Sequence, residues 1–260
     1  MEIITLLIAF IVGVVMGLTG AGGSILTVPV FAYLLKLDVL TATTYSLFVV
    51  GATSLAGAIR NIISRNIDIK PALYFAVPSL VTVVVTRAVI VPLIPEVLLS
   101  VSGFQITRQN FLLGLFAIMI IYAGISMLKK KDSEKLIAQN NLRLIIQGAI
   151  LGVIMGLLGA GGGFMIVPVL VLFAGMEMKK AIGTSLLIIS INAMSGFFAG
   201  FLAIQQIDWV LLIKFSLLMI AGILTGGYFT PKIDTATLKK GFGYFILMVA
   251  LYMILKEFIL

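Results

Sequence analysis

Residues 13–30 read Gly13-Val-Val-Met-Gly-Leu-Thr-Gly-Ala-Gly-Gly-Ser-Ile-Leu-Thr-Val-Pro-Val30. Residues 152–169 read Gly152-Val-Ile-Met-Gly-Leu-Leu-Gly-Ala-Gly-Gly-Gly-Phe-Met-Ile-Val-Pro-Val169. Twelve of the 18 positions are identical at a constant offset of 139. The offset holds downstream, pairing Ser46 with Ser185, Thr53 with Asn192 and Gly57 with Gly196. Ile67-Asp68 then matches Ile207-Asp208 after one inserted residue. The chain is a tandem repeat of roughly 130 residues whose seam is the basic stretch from Lys129 through Lys135 to Arg143. This gives a first transmembrane repeat over 1–128, a basic cytoplasmic linker over 129–141 and a second repeat over 142–260.

Each glycine cluster sits near the middle of an uncharged run, 3–35 in one repeat and 144–176 in the other, each 33 residues long. A spanning helix needs about 20 apolar residues for a hydrocarbon core about 30 Å thick. One straight helix over such a run would reach about 50 Å, and two full crossings would need about 40 residues plus a turn. Each run is therefore expected to break at its glycines and fold back. The other uncharged runs, 39–59, 71–86, 109–128, 181–207, 215–231 and 241–255, suit one crossing each.

Composition agrees with a membrane setting. Of 260 residues, 61% are hydrophobic and 11% charged, and the mean hydropathy is +1.23. Soluble domains average about 45–50% apolar and about 25% charged residues. The chain has no His and no Cys, which removes disulfides, Cys/His zinc sites, His-ligated haem, Ser-His-Asp triads and thiol nucleophiles. The start, Met1-Glu2-Ile3, has no basic n-region and no A-x-A-like site follows, so the first run is expected to stay in the mature protein. The net charge of +8 comes from basic residues between apolar runs, where they act as topology signals rather than as a nucleic-acid footprint.

Those basic residues also bear on how the repeats are related. If each long run crossed once, the halves would lie parallel and Lys/Arg outside the spans would divide nine against seven. If each long run folds back with no net crossing, the halves are inverted. The loops 60–70, 129–143, 176–180 and 230–240 then share one side, with 13 Lys/Arg against three (Lys36, Arg108 and Lys256) on the other. The cytoplasmic excess of Lys/Arg favours the second arrangement. The expected fold is an all-α polytopic membrane protein of two inverted-topology repeats, each a Gly-broken helix hairpin followed by three transmembrane helices, with both termini outside.

Broken helices of this kind offer anion sites. The first N–H groups of a helix lack intrahelical partners and carry partial positive charge, and in inverted-repeat transporters such half-helix N-termini point at anionic groups near the midplane. The spacing predicts half-helices from about Ser24 to Leu35 and from about Gly163 to Phe173. Ser24 suits an N-cap, and Pro29 and Pro168 are expected to kink or shorten their helices. The competing reading is that the glycines only let helices pack closely. A Rossmann or P-loop reading is weak, because neither copy reads G-x-G-x-x-G or continues into Gly-Lys-Ser/Thr and no βαβ pattern surrounds them.

The repeated Gly-rich turn, the Val-Pro after it and Ala181-Ile-Gly-Thr-Ser185 in the next helix resemble the sulfite exporter TauE/SafE family of membrane permeases, over essentially the whole chain. That resemblance implies movement of sulfur-containing anions such as sulfite and organosulfonates. The copies differ where Thr44-Tyr45-Ser46 stands against Gly183-Thr184-Ser185 and Ser24 against Gly163, so the site is expected to be only pseudo-symmetric.

The candidate substrate-binding residues are Thr19, Gly20, Ala21, Gly22, Gly23 and Ser24 in the first break, and Gly159, Ala160, Gly161, Gly162 and Gly163 in the second. Ser46, Thr184, Ser185 and Asn192 add hydroxyls and an amide that can donate to a sulfo group or bond neighbouring helices. Arg87 is a charge well inside a span, a functional position by default. It could grip an oxyanion in bidentate fashion or, five residues before Pro92, snorkel to the interface. Lys214 reads as a snorkelling residue. Asp38, Asp68, Glu177 and Asp208 flank helix ends, so no carboxylate is placed for ion coupling deep in a span.

The leading functional expectation is a secondary transporter that holds a small anion at the midplane between the two breaks and alternates access as its halves rock or slide. An anion channel is the nearest alternative, and a non-transport scaffold the next. An enzyme would need acid/base groups the spans do not supply. No cofactor, metal or nucleic acid is implied. The partners are a small anionic substrate and the lipid bilayer of the cell (plasma or inner) membrane, with a homo-oligomer left open.

Overall fold

The computed structural model describes residues 2–20, 22–95, 97–101, 104–107, 141–158, 163–172, 174–201, 204 and 207–258, together with 111, 114, 117, 118, 121, 122, 124–126 and 128. Helix α1 (Glu2–Thr19) is followed by α2 (Gly22–Pro29), which continues as a π-helical stretch, Val30–Leu34. Next come α3 (Val39–Ile63) and α4 (Ile69–Val85), the latter running through a π-helical turn, Thr86–Ile90, into Val91–Leu93. The second half holds α5 (Asn141–Leu158), α6 (Gly163–Leu172), α7 (Met178–Phe201), α8 (Trp209–Phe229) and α9 (Thr235–Phe258). The described positions between 111 and 128 are helical as well.

Four of these segments are long and apolar enough to cross a bilayer: Leu40–Ile63, Ile69–Leu93, Met178–Phe201 and Trp209–Lys232, each of 24 or 25 residues. At about 1.5 Å rise per residue they reach about 36 Å, enough for the hydrocarbon core. Their outer faces stay apolar, with Leu55 and Ile59, Val77 and Val81, and Ile213 and Leu217 exposed at four-residue spacing. A helix satisfies its own backbone, so only its side chains need to suit lipid. The protein is an all-α membrane protein, with one small hairpin among the described residues, β1 (Val97–Val101) against β2 (Phe104–Thr107), paired antiparallel with Val101 opposite Phe104. The sequence reading assigned no strand there. Pro92 and Pro95 end the helix, and the β-branched and aromatic residues that follow suit a pleated strand.

The first long run breaks at Gly20, between α1 and α2, and in the second α5 ends at Leu158 and α6 starts at Gly163. The first half-helix starts at Gly22 rather than near Ser24, so Ser24 sits in the opening turn and not at the N-cap. The second starts at Gly163 and ends at Leu172. Carboxylates cap the helices instead of entering the spans. Asp38 accepts from Thr41 N at 3.0 Å, Asp208 from Leu211 N at 2.9 Å and Asp234 from Thr237 N at 2.7 Å. The Thr237 bond holds the Asp234 carboxyl below its usual range.

The repeats interlock by exchanging helices. A Cβ on Gly13 would overlap the Met219 carbonyl, and one on Gly17 the Ile223 carbonyl. From the other side, Gly222 faces the Phe10 carbonyl and Gly226 the Val14 carbonyl, so α1 lies against α8 backbone to backbone, in parallel. In the other copy, Gly148, Gly152 and Gly156 press on the backbone of Phe75, Ser79 and Val83, so α5 lies parallel to α4. The two contacts are the same contact with the repeats swapped. Helices α3 and α7, which occupy equivalent places in the two repeats, pack antiparallel: Gly51 meets Met194, Gly57 meets Leu186 and Gly200 meets Thr44. The exchange extends to hydrogen bonds. Asp208 N donates to Tyr45 Oη at 2.6 Å, and Asp68 N donates to Thr184 Oγ1 at 3.1 Å, from equivalent positions to equivalent positions.

Candidate functional site

The first glycine break is built against the opposite repeat. Gly20 N donates to Met16 O at 2.8 Å, closing α1, and Gly20 then takes a left-handed φ of 78°. A side chain there would be strained, and there is no room for one. A Cβ would lie 2.8 Å from Ile182 Cα and 2.9 Å from Ser185 Oγ. Ser185 Oγ donates to Ile182 O at 2.8 Å and contacts Gly20 O at 3.3 Å, so the break is fastened to α7. Thr19, also buried, donates to Val15 O at 2.7 Å. Gly22, Gly23 and Ser24 form the first turn of α2, with their N–H groups at the free end of the half-helix. Gly163 opens α6 in the same way. Ala21, Gly159, Ala160, Gly161 and Gly162 lie outside the described residues.

The expected hydroxyls are buried and already engaged within the protein. Ser46 Oγ and Thr27 Oγ1 share a hydrogen bond of 2.5 Å between α3 and α2. Thr184 holds the N–H of Asp68, and Ser185 holds Gly20. Asn192 Nδ2 donates to Ser79 Oγ at 2.7 Å across α7 and α4, while its Oδ1 is buried without a partner. These residues fasten one helix to another: Ser46 joins α3 to α2, Thr184 and Ser185 join α7 to the start of α4 and to the first break, and Asn192 joins α7 to α4.

Arg87 differs from all of them. It is 4% exposed and sits inside the π-helical turn of α4, so it is enclosed and does not snorkel. The Pro92 ring disfavours a regular turn at the residue four before it, which places the π-turn where the arginine stands. π-Turns inside helices are frequently functional. Arg87 Nη2 donates to Thr43 Oγ1 at 2.7 Å and to Thr44 Oγ1 at 3.0 Å. Both hydroxyls in turn donate to Leu40 O, at 3.0 and 2.8 Å. Arg87 Nε lies against Gly200, buried and without a hydrogen-bond partner. Among the described residues the ion pair found is Lys180 with Asp68, at 3.8 Å and away from Arg87. Thr43 and Thr44 therefore belong to this site, although neither is among the candidate residues read from the sequence. A cavity of about 460 Å³ between α1, α2 and α9 is walled by residues such as Leu26, Val30, Phe245 and Met248, and no charged side chain lines it among the described residues.

The sulfite exporter TauE/SafE family model matches residues 5–253. The chain belongs to that family. It is 29% identical to a probable membrane transporter protein of Haemophilus influenzae, over 98% of each chain. It is 27% identical to the probable membrane transporter protein YdhB of Bacillus subtilis, over 90% of this chain and 93% of that one. A probable membrane transporter protein of Methanocaldococcus jannaschii, MJ0441, is 35% identical over 42% of this chain. No solved structure matches the chain. The protein is a multi-pass membrane transporter of the TauE/SafE type, and the plasma membrane is the usual place for one. Its family and these relatives are named as transporters and not as enzymes.

Proposed function

We propose that the protein is a secondary transporter for small sulfur-containing oxyanions, such as sulfite or an organosulfonate, built from two inverted-topology repeats. The repeats span 1–128 and 142–260, joined by the basic cytoplasmic linker 129–141. The observation that carries the reading is the Arg87 guanidinium. It is buried in an apolar bundle, and among the described residues its partners are neutral hydroxyls and its Nε is unpaired. An uncompensated charge in such a place is costly, and an oxyanion substrate offsets that cost with bidentate, charge-assisted hydrogen bonds. The half-helix N-termini at Gly22 and Gly163 supply further backbone donors.

Inversion is supported by helix direction. Repeats related by an axis along the membrane normal would send equivalent helices across in the same sense, whereas α3 and α7 pack antiparallel. The 13-to-three division of Lys/Arg between the two ends agrees with it. Substrate would pass between the halves as access alternates.

Purified protein in liposomes tests the reading. Saturable sulfite uptake is expected. Arg87→Gln is expected to lower its kcat/KM by about 10–150-fold, which corresponds to about 1.5–3 kcal/mol for a lost charge-assisted hydrogen bond, while Arg87→Lys retains more. Absence of saturable uptake, or wild-type flux in Arg87→Gln, would refute it.

A further inference from the structure

At the basic-loop end of the bundle lies a partly open cavity of about 170 Å³ where α3 ends, α7 begins and α8 runs out. It holds space equal to about five or six waters of bulk liquid. Its polar lining is cationic and amide-rich: Arg60, Asn61, Asn66 and Lys179, with Thr230 on the far wall. Among the described residues no carboxylate lines it. The nearby Asp68 pairs with Lys180 instead, at 3.8 Å. Lys179 Nζ donates to Pro231 O at 3.1 Å, which steadies it at the rim. Asn61 Nδ2 donates to Gly57 O at 2.9 Å.

The repeat relation gives this cavity its meaning. Gly227 is the equivalent of Arg87, and Asn61 of Gly200, by the offsets of 140 and 139 read from the sequence. The Arg60 guanidinium lies directly on Gly227, where a Cβ would overlap Nη1. In the other half, the Arg87 guanidinium lies on Gly200. Each crossing, α3 with α8 and α7 with α4, thus holds one guanidinium over one glycine, but the helix that supplies the arginine is switched. Gly183, the equivalent of Thr44, likewise meets Asn61 as Thr44 meets Gly200. Packing alone asks for no cation at either crossing. The cavity also shares Ile182 with the first glycine break, since Ile182 lines it and abuts Gly20.

We propose that the Arg60 cavity is a second oxyanion site, the counterpart of the Arg87 site at the opposite end, and that it loads small oxyanions from the basic-loop side. Arg60 supplies the fork and Lys179 a second positive charge. Asn61 and Asn66 supply neutral donors, and the ion passes from there over Ile182 to the break. The directional role rests on the transport reading above, but occupancy of the site does not.

The test is isothermal titration of sulfite into the full chain held in nanodiscs of phosphatidylcholine alone, run beside sulfite flux in liposomes. Saturable binding is expected in the wild type. Arg60→Gln and Lys179→Gln each should weaken it tenfold or more, Arg60→Lys should recover part of it, and all should stay monodisperse. In flux, Arg60→Gln should raise the half-saturating sulfite concentration from the basic-loop side more than from the other. Wild-type binding in both Arg60→Gln and Lys179→Gln overturns the site even with flux intact. So does stabilisation by phosphatidylglycerol that depends on Arg60 and that sulfite fails to displace, because the ligand is then a lipid headgroup. Arg60-dependent sulfite binding without any flux supports the site and removes the transport reading alone.

Discussion

Replacing Gly20 with alanine adds one methyl group at the tightest turn of the first break. Two independent costs follow. Gly20 has φ of 78°, and a side chain in the left-handed region costs about 1–2 kcal/mol. The added Cβ would also sit 2.8 Å from Ile182 Cα. That obstacle is backbone, so no change of rotamer relieves it, and overpacking of this kind costs about 1–3 kcal/mol. The sum, about 2–5 kcal/mol, is a large share of the about 5–15 kcal/mol that holds a typical domain folded. The control is Gly241→Ala in α9, where a Cβ has nothing within 4 Å and the helix gains about 0.5–1 kcal/mol from the better helix former. Thermal unfolding of the two purified variants in the same detergent should therefore move in opposite directions, Gly20→Ala down by about 4–20 °C and Gly241→Ala level or up. A Gly20→Ala midpoint equal to wild type would refute the account of the break as a turn closed by α7.

Three further outcomes follow from the same geometry. Lys36 and Gly175 are repeat equivalents that both take left-handed φ, 55° and 65°, so Lys36→Gly should gain about 1 kcal/mol and Gly175→Lys lose as much, read as unfolding midpoints of opposite sign. Gly152→Val should separate α5 from α4, whose Ser79 carbonyl and Thr82 hydroxyl fill the space. It should cost more than Gly196→Ala, where a Cβ meets only the side chains of Leu47 and Val83, at 3.3 Å. Cysteines at Gly51 and Met194, facing each other across α3 and α7 in a chain with no other cysteine, should form a disulfide that stops flux until reductant is added, and full flux in the oxidised protein would show that this interface does not move.

The first break was readable because a 33-residue uncharged run is too long for one straight crossing and too short for two, with glycines at its middle. The helix caps were readable for a similar reason, since Asp38 and Asp208 stand where carboxylates meet orphan N–H groups. The motif hid a division of labour. Its front glycines, Gly13, Gly17, Gly152 and Gly156, hold a four-residue spacing and take α8 and α4 against their backbones, while Gly20 makes the turn. The small-xxx-small spacing was visible in the sequence, but identity between the copies blended both tasks into one signal. Arg87 shows the other difficulty. Pro92 lies five residues on, which is compatible with an arginine at the interface. What encloses Arg87 is α3, which brings Thr43 and Thr44 from more than 40 residues away. The Arg60 site was invisible for the same reason, because its glycine partner, Gly227, belongs to the other repeat.

The packing also bears on which parts can move. The two interfaces where backbone meets backbone, α1 with α8 and α5 with α4, each join one helix from each repeat. Swinging one whole repeat against the other would part both of them, and with them the dispersion contacts that hold helices together in lipid. The α3–α7 contact is of another kind. There Gly51 meets the flexible thioether of Met194, and Gly57 and Gly196 meet leucine side chains, so the surfaces can slide as rotamers change. α3 also packs along α8, through Phe48 and Trp209, and α7 along α4, through Asn192 and Ser79. The natural moving bodies are then two mixed units, α1 with α8 and α3, and α5 with α4 and α7, which exchange under the repeat relation. Near-equal units can exchange near-equal conformations, one open to each side. If access alternates as proposed, the positions that break the equivalence, Lys36 against Gly175 and the two arginines on opposite helices, would be where a bias between those conformations is set.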